Sequence, residues 1–288
     1  MASATEHQPG LWTDAPPYIG ARDERRQFAR WALWDLVEGL RLWKMWLRMS
    51  WNEVRRRYTR TMLGPMWVTV SLLVFATVLS AVFAGLWNQN VRDYLPFLLS
   101  GMLPWNMVAG SIGESCAVFL TGEALIKSRQ FPYTSLVHVV LTRNVIIFGH
   151  NLVGFVAIAL FCNISVSWAT LLFIPGTILA LLNIGWMCIV IAILCLRFRD
   201  FQQLVATFLQ IAMFVTPIFW AADQLKGKRA IIADGNILYH MIQIVREPLL
   251  GRPAGLMSYV VCGVCAIVGW LCAYWLLARK RHRLAYWY

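Results

Sequence analysis

The chain has 288 residues, of which 59% are apolar and only 14% are charged, and its mean hydropathy is +0.58. Soluble domains average about 45–50% apolar and about 25% charged residues, so an ordinary soluble domain, a disordered chain and a coiled coil are excluded. The formal net charge of +12 comes from basic residues between the apolar stretches, as in loops that face anionic lipid headgroups, and we expect no nucleic-acid partner.

The N-terminal part predicts a flexible cytoplasmic segment over residues 1–29 and an amphipathic helix within residues 30–63. The helix extends from Arg30 to Arg48. Its apolar side is formed by residues at steps of three and four: Leu33, Leu36, Leu40, Trp43 and Leu47. Such a helix lies in the membrane interface or packs on a soluble partner; too few apolar residues precede it to form a core, which favours the interface. No signal-peptide pattern opens the sequence, so we expect the N-terminus to stay in the cytoplasm.

Six apolar runs follow, each long enough to cross about 30 Å of hydrocarbon with roughly 20 residues. They cover residues 64–87, 94–121, 138–162, 168–196, 201–221 and 256–278. When the connections are assigned to alternate sides, 20 of the 26 Lys and Arg residues lie on the side of both termini. The sequence therefore predicts an all-α integral membrane protein with six transmembrane helices over residues 64–278 and cytoplasmic termini, the C-terminal one being a basic tail over residues 279–288.

The connection over residues 222–255 predicts a short helix on the outer side. Asn236 is suited to cap a helix from Ile237 to about Val245, and Pro248 and Gly251 are suited to end it. Because this helix is rich in apolar residues, we expect it to dip into the outer leaflet or to cover the bundle.

Two charged residues lie inside the predicted spans, at similar depth. Glu114 lies roughly 10 Å from the inner end of the second span, and Arg143 lies at a similar depth in the third. We expect them to form an intramembrane pair, or either side chain to reach the inner headgroups. Arg143, Asn144, His150 and Asn151 share one side of the third span, which packs on a neighbouring helix or lines a path.

The fifth span carries Gln203, Thr207 and Gln210 at steps of four and three residues, and Phe214 continues the same side. Uncharged amide and hydroxyl groups beside an aromatic ring suit a polyhydroxylated ligand. Interhelical hydrogen bonding explains the same residues, and the sequence alone favours it.

The residue patterns of catalytic and metal sites are missing. The five histidines are scattered, and the segment GEALIKS (122–128) lacks the glycine that a phosphate-binding loop has before its lysine. All seven cysteines lie in apolar runs, where cysteine acts as a small apolar residue. We expect no catalytic residue, metal or cofactor in this chain, although a membrane-embedded glycosyl or acyl transferase stays an alternative.

Three segments resemble the ABC-2 type permeases that export bacterial surface polysaccharides. They are RYTRTMLGPMW (57–67), LIKSRQFP (125–132), and RFRD (197–200) followed by Gln210, Thr216-Pro217-Ile218 and Trp220. The resemblance covers nearly the whole chain from residue 30. It implies a homodimer with two copies of a separate ABC-type ATPase, which binds ATP and Mg, and short re-entrant outer helices before the last span.

The resemblance also implies roles for individual residues. The segment after the second span would contact the ATPase; we call residues 123–132 the coupling segment, and its candidates are Glu123, Lys127, Arg129, Gln130, Phe131 and Pro132. The first and fifth spans would line the conduit, with Trp67, Phe75, Gln203, Thr207, Gln210 and Phe214 as candidates. Arg57 and Arg60 would meet the anionic headgroup of a lipid-linked substrate, or are simply solvated.

The expected function is ATP-driven export of a lipid-linked polysaccharide, of the O-antigen or capsule type, across the bacterial inner membrane. Within the same family, teichoic acid or a lipophilic small molecule is an alternative substrate. A passive channel is a further alternative. It would differ from an exporter in needing no ATPase partner.

Overall fold

The computed structural model describes residues 24–128, 131–221, 231–284 and 287. Within these residues the protein is built from α-helices, with one short 3-10 helix and no strand. The helices are α1 (Glu24–Arg41), α2 (Trp43–Arg57), α3 (Met66–Leu86), α4 (Val91–Ser115), α5 (Val118–Thr121), α6 (Glu123–Ser128), α7 (Thr134–Phe161), α8 (Phe173–Arg197), α9 (Phe201–Val215), α10 (Ile231–Asp234), α11 (Ile237–Leu249) and α12 (Leu256–Leu284). The 3-10 helix Trp168–Leu172 leads into α8.

Five helices of the described chain are long and apolar enough to cross a membrane. They are α3, α4, α7, α8 with its 3-10 turn, and α12. These confirm a multi-span helical membrane protein and correspond to five of the six predicted spans.

The predicted span 201–221 is wrong as a single helix, because α9 ends at Val215. Thr216 adopts an extended backbone (φ −75°, ψ 134°), which is the conformation favoured before a proline. The 15 residues of α9 rise about 22 Å, less than the hydrocarbon thickness. A turn follows α9 and reaches Phe219, whose carbonyl oxygen accepts a hydrogen bond from the Tyr94 hydroxyl at 2.5 Å.

The predicted span 94–121 also differs from the structure. Its helix begins earlier, at Val91, because the Asn90 side chain caps it by accepting a hydrogen bond from the Arg92 amide at 2.9 Å. It ends at Ser115, and the separate turn α5 follows. The second span is therefore α4 alone, and α5 and α6 form a short helical connection to α7.

Helix α4 is the centre of the bundle. Over its most apolar stretch 78% of it is buried, against 28% for α3, α7 and α12. It packs against α3, α7, α8 and α11. Leu98, Leu99, Leu103 and Met107 fill the core around it, each exposed by 2% or less.

Helix α11 lies within the bundle, in contact with α4, α8 and α12. Asn236 caps it as predicted, since its side chain accepts a hydrogen bond from the Leu238 amide at 2.9 Å. The helix continues to Leu249, past the predicted end at Val245, with Pro248 in its last turn. Pro248 has no N–H group that could donate a hydrogen bond to the Ile244 carbonyl oxygen. Gly176 of α8 packs against the same oxygen so closely that a Cβ atom on residue 176 would lie 2.1 Å from it.

The N-terminal amphipathic helix is two helices, α1 and α2, separated at Leu42. Their inner side buries Ala32, Asp35, Ser50 and Val54 against the bundle. The predicted apolar side faces outwards: Leu33, Leu40, Trp43 and Leu47 are between 42% and 58% exposed. An exposed apolar side beside the membrane-spanning bundle is what interface anchoring requires.

Arg246 of α11 ties the turn after α9 to the core. Its guanidinium is 1% exposed and donates hydrogen bonds to the carbonyl oxygens of Pro217 (2.7 Å) and Ile218 (3.1 Å). The group lies over the Phe97 ring at 4.5 Å and against Gly101 of α4, where a Cβ atom would lie 2.0 Å from its Nη2. Only glycine at position 101 leaves space for this buried cation.

Gly101→Ala is therefore expected to destabilise the protein by about 1–3 kcal/mol, the usual effect of overpacking a filled core. Gly263→Ala in α12 is the matched control, because a Cβ atom there meets nothing within 4 Å. Thermal unfolding of both purified variants measures the difference. Equal melting temperatures would contradict the packing of Arg246 on Gly101.

Candidate functional site

The two ends of the bundle differ in charge. One end holds α1, α2, α6, the C-terminal turns of α8 and the last turns of α12, and we call it the basic end. Its basic residues include Arg55, Arg56 and Arg57 in the last turn of α2 and Arg197 in the last turn of α8. The opposite end, which we call the far end, holds α11 and the junction where Arg92 donates a hydrogen bond to the Phe161 carbonyl oxygen at 3.0 Å.

A cluster of charged side chains lies at the basic end, where α2, α4 and α7 meet. Glu114 in the last turn of α4 binds Arg143 of α7, with 2.6 Å between Oε2 and Nη2 and 3.1 Å between Oε2 and Nε. Its other oxygen accepts a hydrogen bond from Arg57 of α2 at 3.1 Å. Arg143 also binds Glu53 of α2, and the Asn144 amide donates to Glu114 at 2.7 Å. We call these five residues the Glu114 cluster.

The cluster joins helices that are far apart in the sequence. The structure thus brings together Glu114 and Arg143, the pair singled out in the sequence, and gives each a further partner on α2. Arg143 is only 14% exposed, so it lies in the protein instead of reaching the headgroups. Burial by itself lowers the pKa of Arg57, but the hydrogen bond and the negative charge of Glu114 outweigh it and raise that pKa overall. Through these contacts the cluster holds α2, α4 and α7 together.

A groove opens beside the Glu114 cluster, with a cavity volume of about 510 Å³. Its walls combine α2 (Arg56 and Arg57), the cluster residues Glu114 and Arg143, and α5 and α6 with the turn between them. The last group includes Val118, Thr121, Gly122 and Leu125. Leu125 of the coupling segment thus lies in the wall of a groove that α2 also lines.

The coupling candidates differ in where they lie. Glu123 begins α6 and is partly buried. Phe131 and Pro132 are buried, and the Phe131 ring belongs to the chain's own apolar core, so neither residue presents an exposed side chain. Arg129, Gln130 and the side chain of Lys127 lie outside the described residues.

The two candidates for headgroup binding also differ. Arg57 is engaged by Glu114, so its guanidinium is only partly available to a ligand. Arg60 is exposed in the turn after α2, with a left-handed backbone (φ 69°).

All six conduit candidates lie on the outside of the described chain. Trp67 and Phe75 of α3 are 52% and 49% exposed, and Phe214 of α9 is 64% exposed. The other three, which are Gln203, Thr207 and Gln210, are exposed as well.

Helix α9 has three distinct sides, since successive residues are rotated by about 100°. Its buried side consists of Val205, Leu209 and Ala212. A second side is apolar and exposed, as expected for contact with lipid: Leu204, Phe208 and Ile211 are 57–62% exposed. The third side is opposite to the buried one and holds the predicted row Gln203, Thr207, Gln210 and Phe214.

The amides of the third side have no partner in the described part of the chain. The Thr207 hydroxyl donates to the Gln203 carbonyl oxygen at 3.0 Å, but no hydrogen bond involves the side-chain amide of Gln203 or Gln210. An amide left without a partner in hydrocarbon costs several kcal/mol. This side of α9 therefore requires water, a polar ligand or another protein surface, and interhelical bonding within the described chain does not supply it.

Aromatic side chains connect α9 to α3 at the far end. Phe219 lies 5.7 Å from Phe214 and 6.0 Å from Phe83, measured between ring centroids. Phe83 stacks on Trp87 at 5.0 Å, and Trp87 meets Tyr94 at 5.6 Å. Of this group the sequence predicts only Phe214, because the apolar run 201–221 continues through the turn after α9.

No cluster of three or more His, Cys, Asp or Glu side chains able to hold a metal ion is found in residues 24–128, 131–221, 231–284 and 287. The seven cysteines are free.

Comparison with known proteins gives the same family as the sequence motifs. The family described as ABC-2 type transporter matches residues 45–250. Two proteins of Klebsiella pneumoniae named "O-antigen export system permease protein RfbA" are each 26% identical over 76% of this chain, covering 83% and 84% of their own length. A Myxococcus xanthus protein of the same name is 22% identical over 62% of this chain and 69% of its own.

The Glu114 cluster gives a prediction about charge exchange. Exchanging the pair by Glu114→Arg with Arg143→Glu is expected not to restore stability, because the new arginine would face Arg57 and the new glutamate would face Glu53. The neutral double variant Glu114→Gln/Arg143→Gln is expected to lose less unfolding free energy than its two single variants lose together. The difference, which is the coupling energy of the pair, should be about 0.5–3 kcal/mol.

Thermal unfolding of the purified variants measures both effects. Arg55→Gln is the control, because Arg55 is exposed on α2, the helix that also carries Glu53 and Arg57, and forms no ion pair within the described residues. Full rescue by the exchanged pair would contradict the five-residue cluster.

Proposed function

The chain belongs to the ABC-2 type transporter family, and we propose that it is the transmembrane permease of an ATP-driven exporter of a lipid-linked surface polysaccharide of the O-antigen type. The similarity to O-antigen export permeases over three quarters of the chain carries this proposal. The uncovered polar side of α9 supports it, because a chain of sugar hydroxyls is a ligand that unpartnered amides can bind.

The conduit would lie between two copies of the chain. We propose a homodimer in which the exposed sides of α3 and α9 face a shared lumen. The amides of Gln203 and Gln210 would exchange hydrogen bonds with sugar hydroxyls, and Trp67, Phe75 and Phe214 would cover the apolar faces of sugar rings. Each contact is weak, so the polymer can move from one set of groups to the next.

The energy would come from two copies of a separate ABC-type ATPase that bind ATP and Mg²⁺. We propose that this partner docks at the basic end, which would then face the cytoplasm of a bacterial inner membrane. Closure of the ATPases would press on the coupling segment, and the Glu114 cluster would pass the movement to α2, α4 and α7. In this mechanism the chain forms and breaks no covalent bond.

Copurification tests the proposed function. The tagged protein is extracted gently from its native membranes, and the proteins that remain bound in stoichiometric amount are identified. A P-loop ATPase at one copy per permease is expected. A protein that is intact and folded but carries no ATPase would contradict the proposal and favour a channel or a membrane-embedded enzyme.

Removing the amides of α9 is expected to reduce export. Gln203→Leu combined with Gln210→Leu should lower the amount of surface polysaccharide several-fold, because each lost hydrogen bond is worth about 0.5–1.5 kcal/mol. Gln202→Leu is the matched control, since Gln202 is exposed on the same helix but off the polar row. Surface polysaccharide is measured in cells with equal amounts of membrane-inserted permease, and equal export by both variants would contradict the conduit assignment.

A further inference from the structure

Asp35 of α1 is a fully buried carboxylate, with 0% exposure, at the basic end. One oxygen accepts hydrogen bonds from the Thr134 amide and the Thr134 hydroxyl, both at 2.9 Å, and the other accepts from the Tyr133 amide at 3.1 Å. The Thr134 hydroxyl also lies 2.7 Å from the Asp35 carbonyl oxygen. The Asp35 carboxylate therefore lies against the first backbone amides of α7.

Asp35 thereby acts as the cap of a helix to which it does not belong. The residue before α7, Tyr133, has a helical backbone and supplies no capping side chain. The first amides of a helix need an acceptor, and a carboxylate there also stabilises the positive end of the helix dipole. Gly39 permits the approach, since a Cβ atom there would lie 2.1 Å from the Thr134 Oγ1 atom.

Arg281 of α12 completes this site. Its Nε lies 2.7 Å from Asp35 Oδ2, and its side chain is only 13% exposed. The guanidinium lies over three rings, those of Trp31 (4.9 Å), Tyr133 (5.1 Å) and Trp34 (5.3 Å). A planar cation held by a carboxylate and three rings has one orientation, so α1, α7 and α12 are fixed to each other here.

The position of this contact in the chain suggests its purpose. The coupling segment, residues 123–132, lies between α4 and α7. On its α4 side, the Glu114 carboxylate is bound by Arg57 of α2. On its α7 side, the first residues after it, Tyr133 and Thr134, are bound by Asp35 of α1. The N-terminal helices therefore hold the chain on both sides of the segment.

We propose that Asp35 and Arg281 are positioning residues for energy coupling: they join α1, α7 and α12 into one unit, so that a push on the coupling segment moves these helices together. Without the contact, the segment would yield locally and the movement would not reach the conduit. This inference rests on the proposed function and adds to it the residues through which the push is transmitted.

A purely structural role makes a different prediction. Removing one partner leaves an uncompensated buried charge, which is strongly destabilising, whereas removing both partners is far less so. Under a structural role, export follows stability and returns in the double variant. Under the proposed role, export stays low in the double variant, because the link between the helices is still missing.

The test compares Asp35→Asn, Arg281→Gln and the double variant with the control Lys280→Gln. Lys280 is adjacent to Arg281 and carries the same charge, and no ion pair or hydrogen bond of its side chain occurs within the described residues. Asparagine at position 35 still accepts a hydrogen bond from the first amides of α7. For each permease, purified with its bound ATPase, the melting temperature, the ATPase stoichiometry and the rate of ATP hydrolysis are measured, and surface polysaccharide is measured in cells.

Both single variants are expected to melt below the wild type, and the double variant is expected to recover most of that loss. The double variant should bind its ATPase and hydrolyse ATP at the wild-type rate or faster, yet export at least fivefold less polysaccharide. Wild-type export by the double variant, or an equal loss in Lys280→Gln, would overturn the inference and leave the proposed function intact. A wild-type permease that binds no ATPase would instead overturn the proposed function itself.

Discussion

Hydrocarbon provides no partner for a polar group, so each charge or amide at membrane depth must be paired within the protein or must face water. This constraint organises the described structure. Glu114 and Arg143 are paired with each other and with α2, and the buried Arg246 is bound by two carbonyl oxygens and an aromatic ring. Asp35 is bound by two backbone amides and Arg281. At each of these places the polar contact joins helices that are distant in the sequence.

The polar row on α9 is the exception that points to function. Its amides have no partner in the described residues, although the neighbouring side of the same helix is apolar and suited to lipid. A helix that separates a polar side from a lipid-facing side has two different environments. The same constraint that pairs the charges elsewhere thus requires water, a polar ligand or another protein surface beside α9, and the proposed conduit would supply the first two.

The sequence predicted much of the fold because hydropathy and capping are local signals. Five spans were found with ends off by a few residues, and Asn236 located the start of α11. The turn after α9 was missed, since an apolar run continues through Pro217 and length alone suggested a helix. Long-range partners were beyond a single sequence: Glu114 and Arg143 were matched by depth, but no local signal links Asp35 to Arg281, 246 residues away. Glu53 and Arg57 share one side of α2 at a four-residue step, which is a signal that could have placed them together.

In the proposed function this chain, driven by a separate ATPase, moves a lipid-linked polysaccharide across a membrane without altering it. The most direct measurement reconstitutes the purified permease with its copurified ATPase in proteoliposomes and adds lipid-linked polysaccharide isolated from the source cells. A glycosidase is added outside the vesicles. Transfer is scored as the amount of polysaccharide that this enzyme no longer cleaves because it has entered the vesicle lumen. We expect transfer only when permease, ATPase and ATP are all present, with the polysaccharide unchanged in size. Transfer by the permease alone, or a covalently altered product, would contradict it.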